Sequence, residues 1–245
     1  IKDNIITFKE SVLPLWVPVF LVLTLILPAN LSTAAIIFSM VIVLIFIGGY
    51  PVKYLLIILF TSLMFLSFFI VSAKAFPNVF PNRVDTWISR IDNFFDGEKT
   101  EADYQIEKAK IAIASGGITG LGPGKSIQKN FLPQSSSDFI YAIIVEEFGL
   151  VGTALLIIGF VFMTMRGYKT AAQAKDIFGT LLVVGFMTLI AAQAFLNIGS
   201  MVALAPLSGL PLPFISHGGT ALAATLASLG IVLNVSKYRT FRKSA

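Results

Sequence analysis

Six stretches of the chain are apolar almost without interruption, and they lack the strict apolar–polar alternation of a barrel strand. Runs of this kind predict membrane-spanning α-helices, because a helix satisfies its own backbone hydrogen bonds in hydrocarbon, where water is absent. The predicted spans are residues 11–27, 34–50, 54–72, 139–165, 178–204 and 218–236. The pattern therefore predicts an all-α integral membrane protein in which residues 1–245 form a single polytopic membrane domain.

A long loop, residues 73–138, separates the third span from the fourth, whereas the other connections are short. Within it, residues 101–114 repeat apolar side chains every three to four positions, at Ile106, Ala109 and Ile113. This spacing predicts a short amphipathic helix that lies at the membrane surface or folds back toward it. A loop of this length usually carries function or has structure of its own.

Positive charge is distributed unevenly between the two sides of the predicted bundle. The C-terminal tail and the loop at 166–177 are rich in Lys and Arg, whereas the loops at 28–33 and 205–217 contain none. Because short cytoplasmic loops attract positive residues, this asymmetry predicts a cytoplasmic C-terminus and an extracytoplasmic long loop.

The composition agrees with a membrane protein and excludes several kinds of site. Hydrophobic residues make up 56% of the chain and charged residues 13%, against about 25% charged residues in soluble domains. Topology explains the net charge of +5, so nucleic acid is not an expected partner. The absence of cysteine excludes thiolate metal sites, and a single histidine, His217, excludes a multi-histidine site.

Asp138 is an acid at the border of the fourth predicted span, and it follows three serines, residues 135–137. In one interpretation the serines cap the helix and Asp138, in its first turn, merely suits the helix dipole. In the other, Asp138 is a carboxylate at the outer membrane border that acts as a general base. The residues alone favour neither interpretation.

Glu146 and Glu147 follow Asp138 by eight and nine residues. That separation puts them about 12–14 Å farther along a helix, too far for direct pairing with Asp138. We expect a structural role for both, with partners on other helices.

Gln193, Asn197 and Ser200 share one face of the fifth predicted span by their spacing. Polar stripes of this kind usually hold membrane helices together, and lining a substrate cavity is the alternative. The uncharged segment 206–219 contains several prolines and glycines. It is either an ordinary connection or a re-entrant segment that lines a cavity.

Arg83, Arg90, Lys125 and Lys129 bring positive charge to the long loop. Arg matches the geometry of phosphate and Lys supplies a point charge. A solvated surface is the alternative, and we favour it for Arg90 and Lys125. Arg83 and Lys129 are the candidates for binding a phosphate group.

Taken in order, these segments resemble the FtsW/RodA/SpoVE family of bacterial elongation, division and sporulation proteins. Residues 131–152, FLPQSSSDFIYAIIVEEFGLVG, are similar to the family motif LPE-x-HTDFIFA-x-x-x-EE-x-G-x-x-G. Residues 209–220, GLPLPFISHGGT, are similar to G-x-x-LP-x-ISYGGSS. Gln193 and Asn197 match Q-x-x-x-N, and Tyr104-Gln105 together with residues 114–122 match a loop signature. The resemblance covers nearly the whole chain.

The chain departs from the family pattern around several of these motifs, although Asp138 itself is retained. The departures are Gln134 for a glutamate, Ser136 and Ser137 for His-Thr, His217 for a tyrosine, and Asn30 and Ser32 for the acid and glycine of QPD-x-GT.

The resemblance implies the last six helices of a ten-helix fold in the bacterial inner (cytoplasmic) membrane, with the first four helices outside this chain. It implies an inverting glycosyltransferase that polymerises lipid II into the glycan strands of peptidoglycan. The implied partners are a class B penicillin-binding protein and other division proteins. Tyr104-Gln105 resembles division-type FtsW more than elongation-type RodA.

The resemblance also assigns roles to individual residues. The essential loop aspartate of the family maps onto Asp138, which is expected to be the general base. The residues expected to bind substrate or diphosphate are Arg83, Lys129, Gln105, Ser216, Gly218 and Gly219. A divalent cation, Mg or Mn, is an expected helper of the leaving diphosphate.

Two other functions stay open at this point. A transporter that flips lipid II would use Glu146, Glu147, Gln193 and Asn197 to line a polar path. A non-catalytic division scaffold would recruit a synthase. The long charged loop with one carboxylate at the membrane border fits chemistry better than either.

Overall fold

The computed structural model describes residues 8–75, 101–132, 135–202, 204–205 and 209–238. The chain divides into two compact units, Ile1–Asp92 and Asn93–Ala245, and each is described by itself. In the first unit, α1 (Phe8–Ser11) continues through a π-helical turn (Val12–Trp16) into α2 (Val17–Ile26), and α3 (Leu31–Ile47) and α4 (Val52–Ala75) follow. The second unit contains α5 (Glu101–Gly116), a 3₁₀ turn (Gln128–Asn130), α6 (Ile140–Ala172), α7 (Ile177–Met201) and α8 (Gly219–Lys237).

Each of the six predicted spans coincides with a helix. Within the described residues, α4, α6, α7 and α8 are long and apolar enough to cross a membrane, and Val12–Ile26 and Leu31–Ile47 are shorter apolar helices. The main difference is α6, which runs to Ala172 rather than ending at 165. The all-α membrane fold class is therefore confirmed, while a single continuous domain stays a prediction.

The π-helical turn lies where two prolines interrupt the first predicted span. Pro14 and Pro18 cannot donate a backbone hydrogen bond, and a locally widened helix accommodates the resulting gap in the hydrogen-bond ladder. The Tyr50 hydroxyl accepts a hydrogen bond from Trp16 Nε1 at 3.4 Å and lies 2.7 Å from Ser11 Oγ. These polar contacts and apolar packing around buried Trp16 join the start of the unit to α4.

Asn30 explains one departure from the family pattern. It is the N-cap of α3, and its side-chain oxygen accepts a hydrogen bond from Thr33 N at 3.0 Å. Asn and Asp serve about equally well at this position of a helix. The replacement of the family's acid therefore keeps the local structural role.

Helix α5 confirms the amphipathic pattern predicted at 101–114. Its Ala109 and Ala112 are fully buried in an apolar cluster formed mainly with the first part of α6. The small alanine side chains allow the two helices to approach closely, as in membrane interfaces. The apolar face of α5 therefore packs against protein and covers the residues that follow Asp138 in sequence.

Helix α6 is broken at Gly149, where φ is 65° and ψ is −166°. The loop after α5 fills the break with four backbone hydrogen bonds: Leu121 N and Gly122 N donate to the carbonyls of Glu146 and Glu147, and Leu150 N and Val151 N donate to those of Gly117 and Ile118. A Cβ atom at Gly149 would overlap the backbone of this loop, so the close approach requires glycine. The break divides α6 into a first half, residues 140–148, and a second half, residues 150–172.

Candidate active site around Asp138

Asp138 lies in a turn just before α6, which begins at Ile140. The N-cap is Phe139 and no side chain caps the helix, so the prediction that the serines cap α6 with Asp138 in its first turn is wrong. Ser137 Oγ instead donates to Asp138 Oδ1 at 2.9 Å. The physical reason is that Phe139 is buried and anchors the chain there, so the helix begins two residues later than a cap at Ser137 would place it.

The turn that carries Asp138 is held through three consecutive backbone carbonyls. The carbonyl oxygens of Ser136, Ser137 and Asp138 accept hydrogen bonds from His217 N at 2.8 Å, Ser216 Oγ at 2.7 Å and Asn197 Nδ2 at 2.9 Å, respectively. These donors come from α7 and from the segment before α8. These hydrogen bonds fix the backbone of the turn, while Asp138 itself is half-buried.

Asn197 joins the turn to a second part of the unit. Its side chain is 1% exposed, and Nδ2 also donates to the carbonyl of Leu210 at 2.7 Å. Oδ1 is a buried acceptor without a hydrogen-bond partner among the described residues. Asn197 of the polar stripe thus ties loops to α7, whereas Ser200 Oγ donates within α7, to Asn197 O.

The segment 209–218 is a non-helical chain that lines a cavity. Leu212 is buried, and Ser216 Oγ accepts a hydrogen bond from Leu212 N at 2.7 Å while donating to Ser137 O. With Gln193 of α7 and residues of α8, this segment encloses a cavity of about 130 Å³. The arrangement favours the re-entrant interpretation of 206–219, of which 209–219 are described.

Phe214 has a backbone φ of 64°, the left-handed region that a bulky residue rarely adopts. Phe214 lines both the 130 Å³ cavity and a second, apolar cavity of about 260 Å³. Ile215 and residues 155–163 of α6 complete the apolar cavity. Ser216 lines the 130 Å³ cavity and also contacts the Asp138 turn, although Asp138 itself is not among the lining residues.

Glu146 has its hydrogen-bond partners in the long loop, not on another helix as expected. Its carboxylate is 1% exposed and accepts hydrogen bonds from Ser126 Oγ, from Ile127 N at 3.1 Å and from Gln128 N at 3.3 Å. Glu147 is half-buried, and its backbone carbonyl accepts a hydrogen bond from Gly122 N.

The remaining predicted site residues are spread over the second unit. Lys129 is exposed, and its backbone N donates to Ser126 Oγ at 3.1 Å, while Gln105 is half-buried on α5. Gly218 is the N-cap of α8 and Gly219 its first residue. Among the described residues no hydrogen bond or ion pair joins the Lys129 side chain to Asp138, and Arg83 and Arg90 lie outside the described residues.

A metal site made by the protein alone is not found in the described part of the chain, which holds no cluster of three or more His, Cys, Asp or Glu. Magnesium typically takes only one or two carboxylates and completes its shell with phosphate oxygens and water. Asp138 could supply one such ligand, but a single carboxylate does not define a metal site.

Sequence reasoning missed Ser126, Lys108 and the break at Gly149. The Lys108 ammonium lies 5.2 Å from the ring centre of Tyr104 and 5.4 Å from that of Phe131, a pair of cation–π contacts between α5 and the chain that leads to Asp138. A glycine inside the apolar run at 139–165, paired with a glycine-rich loop, was the available signal for the break.

The chain matches known proteins along most of its length. A family model described as "Cell cycle protein", FtsW/RodA/SpoVE, matches residues 2–241. Stage V sporulation protein E of Bacillus subtilis (strain 168) is 33% identical over 241 residues, which cover 97% of this chain and 63% of that protein. A probable peptidoglycan glycosyltransferase FtsW of Geobacter metallireducens is 32% identical over 237 residues, which cover 96% of this chain and 61% of that protein.

A solved structure agrees with the fold. A chain from "Structural coordination of polymerization and crosslinking by a peptidoglycan synthase complex" matches with a TM-score of 0.71 and 26% identity, covering 97% of this chain and 64% of that one. The chain thus spans less than two thirds of the length of these proteins. One relative carries a sporulation name and the other the name FtsW, so the FtsW-like subtype stays a prediction. On its sequence and fold, this chain is an integral membrane protein of the FtsW/RodA/SpoVE family.

Proposed function

We propose that the protein is a peptidoglycan glycosyltransferase that polymerises lipid II, with Asp138 as its general base. The observation that carries this proposal is the convergence of Asn197, Ser216 and the His217 backbone on three consecutive carbonyls around the half-buried Asp138. The name of the Geobacter relative, a probable peptidoglycan glycosyltransferase, supports the reaction class.

The proposed step joins two lipid-linked disaccharides. The 4-hydroxyl of the acceptor attacks the anomeric carbon of the donor, and the bond from that carbon to the diphosphate oxygen breaks. Asp138 takes the hydroxyl proton in the transition state, which a carboxylate held in position does well. A fixed backbone around the base keeps its geometry without the base itself losing access to the acceptor.

The leaving diphosphate gains negative charge that positive groups stabilise. Lys129 is exposed on the 3₁₀ turn and is the described candidate for this role, together with Arg83. Gln105, Ser216, Gly218 and Gly219 are proposed to contact the sugars or the diphosphate. A divalent cation could assist when bound to diphosphate oxygens, and no step is assigned to it because the described residues do not define its site.

Direct displacement with inversion suits this arrangement of acids. Retaining enzymes place two carboxyl groups roughly 5 Å apart. Glu146 follows Asp138 by eight residues, and its carboxylate is already engaged by the Ser126–Gln128 backbone and hydroxyl. The apolar cavity beside Phe214 is a suitable place for part of a polyprenyl tail.

The setting of the enzyme is part of the proposal. The long loop and Asp138 would face the outside of the bacterial inner membrane, with the C-terminus in the cytoplasm. A class B penicillin-binding protein would crosslink the strands, which fits the solved relative from a peptidoglycan synthase complex, and other division proteins would attach to the pair.

The experiment uses the whole protein with its penicillin-binding partner and labelled lipid II. We expect Asp138→Asn to lower strand formation by about a hundredfold or more, because the acceptor loses its base. The matched control is Asp176→Asn, the same chemical change at the N-cap of α7, where Asn caps as well as Asp.

Other outcomes separate the alternatives. Strand formation that survives Asp138→Asn would exclude Asp138 as the base. Movement of lipid II across vesicles without polymer would indicate the transporter, and neither activity in the wild type would indicate the scaffold. A titration with EDTA in the same assay tests the divalent cation.

A further inference from the structure

Glu146 is a buried carboxylate inside an apolar helix, a placement that is costly unless hydrogen bonds satisfy the oxygens. All its described donors belong to residues 126–128: one serine hydroxyl and two successive backbone N–H groups. The burial cost of this acid is therefore offset by the long loop alone. An acid placed only to join membrane helices would have its partners on those helices.

The donors lie at the start of the turn that carries Lys129. Gln128 begins the 3₁₀ turn Gln128–Asn130, and Ser126 Oγ, which donates to Glu146, accepts from Lys129 N. The carboxylate thus fixes the beginning of the turn and, through Ser126, the backbone of Lys129. The Lys129 side chain stays exposed.

Glu146 also belongs to the same half-helix that follows Asp138. From Ser126, which contacts Glu146, the chain runs through Lys129 and Asp138 and then along the first half of α6 to Glu146. The Glu146 carboxylate therefore joins the two ends of a loop, residues 126–146. The far side of this loop is held by Asn197 and Ser216. Lys129 and Asp138 therefore lie in one frame, a loop that is held by Glu146 at its ends and by Asn197 and Ser216 on its far side.

We infer that Glu146 is a positioning residue for glycosyl transfer: it sets where Lys129 stands relative to Asp138 without touching the substrate. The inference rests on the proposed function of Asp138. Small displacements of a catalytic frame are expensive in rate, since a shift of about 1 Å can cost about a hundredfold. Neither the spacing of the acids nor the hydropathy of α6 indicates this role.

The test variant is Glu146→Gln in the whole protein with its partner. Gln has nearly the same size, so the packing of the helix is kept. Its amide nitrogen, however, would face N–H donors in place of one carboxylate oxygen, which weakens the hydrogen bonds from residues 126–128. We expect kcat for strand formation to fall by about tenfold to a hundredfold. Hydrogen exchange in a peptide covering residues 126–131 should accelerate by about tenfold or more.

Two further variants make the result specific. Glu107→Gln, the same change at an exposed position of α5, should alter neither kcat nor exchange at 126–131. Ser126→Ala removes one donor from the loop side and leaves the membrane helix intact, so it decides the matter if Glu146→Gln fails to fold. Ser126→Ala should lower kcat less than Glu146→Gln, and the double variant should be no worse than Glu146→Gln, because both act through one contact.

The inference is overturned if exchange at 126–131 accelerates while kcat stays at the wild-type value. It is also overturned if kcat falls and that exchange does not change. An active Asp138→Asn variant would instead sink the proposed function, and the exchange data would still report whether Glu146 closes the loop.

Discussion

The two halves of helix α6 have similar apolar sequences and opposite surroundings. In the first half, Tyr141, Ala142, Ile143 and Val145 are buried against α5 and neighbouring segments. In the second half, most large apolar side chains are exposed, with Leu155, Ile158, Val161, Phe162 and Met165 each more than half exposed. Lipid tails and a protein interior accept the same residues, so hydropathy identifies both halves as membrane helix and separates neither.

Polar contacts with the long loop are concentrated in the first half and at the break itself. The Glu146 carboxylate and the carbonyls of Glu146 and Glu147 bind this loop, and the Asn197 amide holds the turn before α6. The other two backbone hydrogen bonds of the glycine loop are made to Leu150 and Val151, directly after the break. In a membrane protein, the part of a helix that carries chemistry is thus recognised by its polar ties rather than by its apolar content.

The largest expected effect comes from separating the glycine loop from the first half. Gly120→Ala introduces a Cβ that overlaps the Glu147 carbonyl, at a backbone φ of +78°. We expect a loss of about 3–5 kcal/mol of stability, measured as a lower thermal unfolding midpoint in detergent. The control is Gly124→Ala, which has a similar φ of +75° and no atom within 4 Å of the new Cβ. It carries the backbone strain alone, about 1–2 kcal/mol, so equal losses would refute the close packing of the loop.

A smaller effect is expected at the polar tie to α7. Asn197→Ala leaves the carbonyls of Asp138 and Leu210 without their buried donor, which should cost about 2–3 kcal/mol in the same unfolding assay. Asn234→Ala, at an exposed position of α8, is the matched control and should change the midpoint little. A loss no greater than that of the control would mean that the turn before α6 is held in another way.

The smallest predicted effect compares one substitution in both halves. Val145→Ala removes two methyl groups at a site that is 2% exposed and should cost about 1–2 kcal/mol. Val161→Ala makes the same change at a site that is 52% exposed, where lipid replaces the lost contacts, and should cost less than about 0.5 kcal/mol. Similar losses would show that the second half is also buried, for example by a partner helix.

The apolar pattern of the sequence was sufficient for the helices and insufficient for their local geometry. Ile106, Ala109 and Ile113 predicted α5 because a helix face repeats every three to four residues. The serines before Asp138 failed as predicted caps, because buried Phe139 sets the start of α6. The choice between a helix start and a turn depends on what the next side chain packs against, and a local sequence does not contain that information.

The contacts that build the site join residues far apart in the chain. Asn197 reaches a carbonyl 59 residues away and Ser216 reaches one 79 residues away. The residue types suggested polar ties, but no spacing rule identifies partners across such distances. Similarly, the Glu146-Glu147 pair predicted buried acids. The loop partners of Glu146 are seen only in the fold, where the glycine loop packs against the helix at the break at Gly149.

The interruption at Gly149 has a consequence for bilayers of different thickness. Residues 150–172 rise about 34 Å at 1.5 Å per residue, which exceeds the roughly 30 Å of a hydrocarbon core. This portion can tilt to match a thinner or thicker membrane. Because the helix changes direction at Gly149, we expect this residue to absorb such tilting. A change of lipid composition would then alter the tilt of residues 150–172 without moving the segment around Asp138.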